Sequence, residues 1–206
     1  MIRNTAVTVC GPLNVNKLGV TYVHEHLMVK PQLPDEYYIP YTLDDEAAST
    51  EETRSFSAAG GETLVEMTPI NYGRNVKAYQ RIAQATGVHV ICCTGFHKQL
   101  FMPPWFGDKT DGELYDILTD EVTNGLDDTE IHPGVIKLGT SFEEVTAAEK
   151  RSIEAVARVH RDTGIPISTH CDKGTMGMDQ LRLLEKHGVD PKNVLLCHID
   201  SKMDTD

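Results

Sequence analysis

Six short apolar runs punctuate the chain: VTYVHEHLMV at 20–29, ETLVEMTP at 62–69, VHVICCTGF at 88–96, GVIKLGTS at 134–141, IPISTHCD at 165–172 and NVLLCHID at 193–200. Each is too short for a globular helix, rich in β-branched residues and apolar without strict alternation. That is the pattern of strands buried on both faces. The segments between them carry helical spacing. TAAEKRSIEAVARVHRDTG opens with Thr146 and Glu149 in capping-box spacing, places Ile153, Val156 and Val159 on one face and stops at Gly164. MDQLRLLEKHG (178–188) and LDDEAASTEETRSFSAAGG (43–61) read the same way, each closing on glycine. Strand–helix alternation of this kind predicts parallel βαβ units with right-handed crossovers. The connection from 97 to 133, with Pro103, Pro104, Trp105, Gly107 and Gly125, reads as a functional loop followed by a helix.

Six strands suffice for an open doubly wound sheet, whereas a (β/α)8 barrel needs eight strands and typically about 250 residues. The chain has 206 residues and its last six, SKMDTD, follow strand six directly. The expectation is either an open sheet with a bare last strand or a truncated barrel.

Polar residues inside these strands are not scattered. His24 and His26 sit late in the first run, Lys137 within the fourth, His170 at the end of the fifth and His198 at the end of the sixth. In a parallel barrel the C-terminal strand ends share one mouth, where the βα loops build the active site. A histidine pair two residues apart on a strand shares a face, and so answers either to a metal or to a satisfied polar core. A lysine in VIKLG must find a partner or lose solvation, and a neutral buried amine is open to modification or base chemistry. His97, Lys98 and Arg74 lie just past strand ends, where substrate contacts concentrate and where cations suit an anionic substrate group. Glu25 alternates to the other face, Glu66 reads as structurally buried, and His89, His132, His160 and His187 read as structural or solvated.

The formal net charge of −12 argues against nucleic acid or an anionic membrane surface as a partner, and no apolar run is long enough to span a bilayer. Five cysteines, an odd number without a CxxC pair, predict reduced thiols in a cytoplasm. Cys171 follows a histidine, but no nucleophile signature surrounds it. The start, MIRNTAVTVCGPL, lacks a basic region followed by an apolar one, so a secretion signal is not expected.

Taken together and in order, HEH, VIKLGTS, STHCDKGTMGMDQLRLLEKHG and VLLCHIDSKMD resemble the phosphotriesterase-like group of the amidohydrolase superfamily, and the resemblance extends to the N-terminal GPLNVNKLGVTYVHEHL. It implies an α/β fold of the (β/α)8 TIM-barrel class, here about the first six βα units, in one C-terminally incomplete domain over 1–206. It also implies a centre of two divalent ions, zinc or else Mn, Co or Fe. His24 and His26 match the ligands of the more buried ion and His170 and His198 those of the more exposed one. Lys137 matches a lysine that CO2 carbamylates, turning a cation into a bridging oxygen ligand. The family's strand-eight aspartate lies beyond residue 206, and neither Asp200 nor Asp204 takes its place.

The implied reaction is hydrolysis, with metal-activated hydroxide attacking a lactone or related ester. A phosphate or carboxylate on that lactone would meet Arg74 and Lys98. The alternatives are phosphotriesterase activity, a truncated barrel that binds metal without turnover, and an open α/β protein with structural histidines. The expected partner is a small ester or lactone, with a homodimer implied by resemblance alone.

Overall fold

The computed structural model describes residues 4–31 and 42–202, so Asp204 lies outside the described residues. All six apolar runs form strands. With the labels used hereafter they are β3 (Thr21–Glu25), β4 (Thr63–Glu66), β5 (His89–Gly95), β6 (Val135–Thr140), β7 (Ile167–Cys171) and β8 (Val194–Cys197). Their order in the sheet is their order in the chain, and the register is parallel, as in Val65 opposite Ile91 and Lys137 opposite Ser168. Sequential parallel strands joined by helical crossovers are the repeating unit of a (β/α)8 barrel, and the open doubly wound alternative, which reverses strand order part-way, is set aside. Ahead of them β1 (Thr5–Thr8) and β2 (Gly11–Asn14) form an antiparallel hairpin. Four-residue strands leave no periodic signal, so the pattern does not announce this hairpin.

Contacts divide the chain into two compact units, residues 1–93 with 121–134, and 94–120 with 135–206. The first holds the hairpin, β3, β4 and most of β5, with helices α1 (Glu46–Ala58) and α2 (Val76–Thr86). Asp45 caps α1 by accepting from the amides of Ala47 and Ala48, and Asn75 caps α2 by accepting from Ala78. The α2 face carrying Val76, Tyr79, Ile82 and Ala83 is buried with Leu64, Val90 and Leu27 in one apolar core. In this unit Val9 N–H donates to the carbonyl of Val90, fastening the hairpin to β5.

The second unit holds the end of β5, β6 to β8, most of α3 (Asp111–Asn124), α4 (Ala147–Thr163) and α5 (Gly177–Lys186). The capping box of α4 forms as its spacing predicts. Thr146 Oγ1 accepts from the Glu149 amide, the Glu149 carboxylate accepts from the Thr146 amide, and Gly164 ends the helix at φ 69°. Gly95, at φ 109°, is required by close approach, because a Cβ there would stand 2.0 Å from the Lys137 carbonyl oxygen. The next amide, Phe96 N–H, donates to that same carbonyl.

Burial departs from expectation at the first and last strands of the order. β6 is buried throughout, and so is β5 after His89, but Tyr22 and Val23 of β3 and Leu195 of β8 are 53%, 49% and 41% exposed. Within this six-stranded sheet these two have a hydrogen-bonded neighbour on one side only. No helix among the described residues is long and apolar enough to cross a membrane.

Candidate metal centre

In the first unit the histidine pair lies at the C-terminal end of β3, His24 inside the strand and His26 one residue beyond it. The alternation that predicts a shared face is interrupted, since the register of β3 on β4 shifts between Tyr22 and Glu25. The rings nonetheless come together, with centroids 5.4 Å apart in an edge-on arrangement. His26 Nδ1 lies 2.8 Å from Thr68 Oγ1, and that hydroxyl lies 2.6 Å from Glu66 Oε1. The Glu66 carboxylate also accepts from the backbone amides of Leu27 (3.1 Å) and Thr68 (3.0 Å). Complete burial pushes its pKa up to about 7, against the pull of those hydrogen bonds. Expected to be merely buried, Glu66 is the hub of a network that reaches His26.

In the second unit Lys137 is fully buried in the middle of β6. His170 lies near the end of β7, and His198 follows β8 in the left-handed region at φ 66°. Non-glycine residues pay for that conformation, and such strain gathers where a side chain must be aimed. The His170 and His198 rings are 4.8 Å apart. Burial and the neighbouring Lys137 charge lower the His198 pKa, with Asp200 and Asp172 opposing. His97, 3% exposed, stands 4.5 Å ring-to-ring from His170, and its Nδ1 accepts the Lys98 amide at 2.7 Å. Lys98 Nζ pairs with Asp172 at 2.6 Å.

Two residues that the sequence pattern passes over hold this arrangement. Gln180, buried on α5, donates to Thr140 Oγ1 (2.6 Å) and to the His170 carbonyl (2.9 Å), joining the ends of β6 and β7. Glu149, visible in the sequence only as half of a capping box, also accepts from Gln99 N–H (2.9 Å) and Ser141 Oγ (2.6 Å). It thereby ties the loops after β5 and β6 to the start of α4. Gly139 permits the loop to lie close, because a Cβ there would come within 2.9 Å of Lys98 N.

The structure puts Arg74, in the first unit, into a buried ion cluster. Its side chain is 6% exposed and meets Glu121 and Asp127, each at 2.6 Å. Burial works against its charge, but the two carboxylates more than offset this and hold it protonated beyond the ordinary arginine range. His132 Nδ1 bonds the Val122 carbonyl and His160 Nδ1 the Ile165 carbonyl, both structural contacts. Cys171 is buried, and burial raises its pKa, the opposite of an activated thiol.

The donor set bears directly on a metal. Among the described residues no three His, Cys, Asp or Glu side chains converge to hold an ion. The histidines come as two pairs, and each pair gives two neutral nitrogens of the kind that zinc and its neighbours accept. Each pair is therefore short of the usual four ligands and of negative charge. An unmodified Lys137 ammonium has no lone pair to give, whereas its carbamate would supply anionic oxygens. The residues fit a metal centre on that condition.

Fold and side chains together define a barrel-class α/β protein with imidazole pairs at or near the C-terminal ends of its parallel strands and a buried lysine within one of them. The chain belongs to the phosphotriesterase family, whose pattern matches residues 4–206. It is 34% identical over 195 residues to the phosphotriesterase homology protein of Escherichia coli, covering 94% of this chain and 66% of that one. It is 31% identical to a phospho-furanose lactonase of Mycoplasmopsis synoviae, covering 99% and 62%. The crystal structure of the lactonase Lmo2620 from Listeria monocytogenes superposes with a TM-score of 0.92 at 30% identity, over 97% of this chain and 67% of that one. The chain thus spans about two thirds of the length of these relatives.

Proposed function

We propose that the chain carries most of the ligand set of a binuclear metal hydrolase acting on a lactone, a phosphorylated sugar lactone among the candidates. In this reading His24 and His26 hold one ion, His170 and His198 the other, and Lys137, carbamylated by CO2, bridges them. The observation that carries it is the pairing of the histidines at strand ends, in the same chain as a lysine fully buried inside a parallel strand. Two such ions would lower the pKa of a shared water and polarise the bond it attacks.

The chain's own residues set the remainder. Glu66 and Thr68 fix His26, while Gln180 holds the strand end that bears His170. His97 and Lys98, on the loop after β5, are placed to contact substrate, with Asp172 as the carboxylate that an anionic substrate group would have to displace from Lys98. Arg74, already committed to Glu121 and Asp127, braces the loop between β4 and α2 and leaves the anion-binding role to Lys98. Phosphotriester hydrolysis is the neighbouring alternative, since both substrates place an electrophile beside a metal. A second reading is metal binding without turnover, since each histidine pair supplies two of the usual four ligands.

The test loads the protein with Zn2+ or Mn2+ in 13C-bicarbonate and follows three signals. A carbamate carbon resonance absent from Lys137→Ala, two bound ions per chain and hydrolysis of a γ-lactone would support the hydrolase. Metal and carbamate without hydrolysis of lactones or phosphoesters would move the conclusion to the non-catalytic reading. Unchanged metal binding in His170→Ala, with no carbamate, would overturn both.

A further inference from the structure

The Glu66–Thr68–His26 chain has a direction. A threonine hydroxyl carries one proton and two lone pairs, and an ionised carboxylate only accepts. Besides the Tyr79 hydroxyl, three donors converge on Glu66, and two of them, the Leu27 and Thr68 amides, cannot reverse. The third, Thr68 Oγ1 at 2.6 Å, has the short separation of a hydroxyl donating to a charged oxygen. Its proton thus spent on Glu66, the Thr68 oxygen has only lone pairs left for His26 Nδ1 at 2.8 Å. With Glu66 ionised, the ring must then carry its proton on Nδ1. Tyr72, 5.8 Å away edge-on, and His24, 5.4 Å away, flank the same ring.

We propose that Glu66, acting through the Thr68 hydroxyl, is a positioning residue that locks His26 in its Nδ1–H tautomer and leaves Nε2 as the ligand atom. Metal-binding histidines commonly give their second N–H to a carboxylate, which fixes the ring and raises its basicity. Here a hydroxyl stands between, so a fully buried carboxylate at the end of β4 orients an imidazole just past the end of β3 without touching it. That Nε2 serves a metal rests on the proposed function; the tautomer itself does not.

The experiment is long-range 1H–15N NMR of the 15N-labelled, metal-free protein at pH 8, in the wild type, Thr68→Ser and Thr68→Val, with a Zn2+ titration against a chelator for each. The expected wild-type spectrum shows His26 as a single Nδ1–H tautomer. Serine keeps it, and valine, which matches threonine in shape but has no hydroxyl, gives a mixture. Zn2+ affinity should fall roughly 10–100-fold in Thr68→Val and recover in Thr68→Ser. An Nε2–H wild-type ring would overturn the proposal without any variant, as would a tautomer unmoved by folded Thr68→Val. If the tautomer responds as expected while Zn2+ affinity is the same in all three proteins, the positioning role stands and the metal-site reading fails.

Discussion

Glu66 is where burial and protonation meet most sharply. Its folded-state pKa of about 7 lies above the ordinary 4.5, so the folded chain binds that proton more tightly than the unfolded one. Its contribution is fully present below about pH 4.5 and is lost as pH rises through about 7. The gap corresponds to about 3 kcal/mol. Urea unfolding of the wild type should show stability falling across that window, and Glu66→Gln should lack that component; parallel profiles would mean that burial is not what governs the group. Lys137→Met is expected to fold at least as stably as the metal-free wild type, because a fully buried amine is exchanged for an apolar side chain of similar length. The same variant should lose bound Zn2+, and retained stoichiometric metal would remove Lys137 from the ligand set. His24, His26, Lys137, His170 and His198 were all legible at this scale, because ionisable groups in apolar strands stand out against a low background. Thr68, Glu149 and Gln180 were not, since their importance lies in hydrogen bonds to groups distant in sequence or out of pattern.

Among the elements, α4 was the most legible, its cap, apolar face and stop all being local. Thr146→Ala should cost about 1 kcal/mol in chemical denaturation through the lost N-cap. Glu149→Ala should cost clearly more, because it also releases Gln99 and Ser141; equal costs would show that the loop bonds contribute nothing. Gly95→Ala should cost about 3 kcal/mol or more, combining an unfavourable φ with a collision against the Lys137 carbonyl. A thermal melt close to the wild type would refute that close approach. The glycine is plain in the sequence, but the strand that crowds it lies forty residues away. The β3 bulge was likewise hidden, since register depends on which residues the neighbouring strand presents. The β1–β2 hairpin escaped because four-residue strands carry too little pattern.

For the molecule as a whole, β3 and β8 stand at the two ends of the strand order and carry exposed apolar side chains, Tyr22 and Val23 on the first and Leu195 on the last. Unpaired strand edges of this kind recruit other chains. The 206-residue protein is expected to self-associate with rising concentration in light scattering, and a Val23→Lys, Leu195→Lys double variant to associate less. Concentration-independent scattering by the wild type would show these edges to be innocuous.

The sequence by itself determined the strand–helix alternation, the parallel class of fold, the family and the histidine–lysine set. These depend on residue type, spacing and order, which the chain carries directly. The tertiary structure decided which strands are buried, the commitment of Arg74 to Glu121 and Asp127, and the network that makes Glu66 and Thr68 partners of His26. Each of those depends on groups brought together across dozens of residues, and a hydrogen bond or a burial has no existence until the chain has folded.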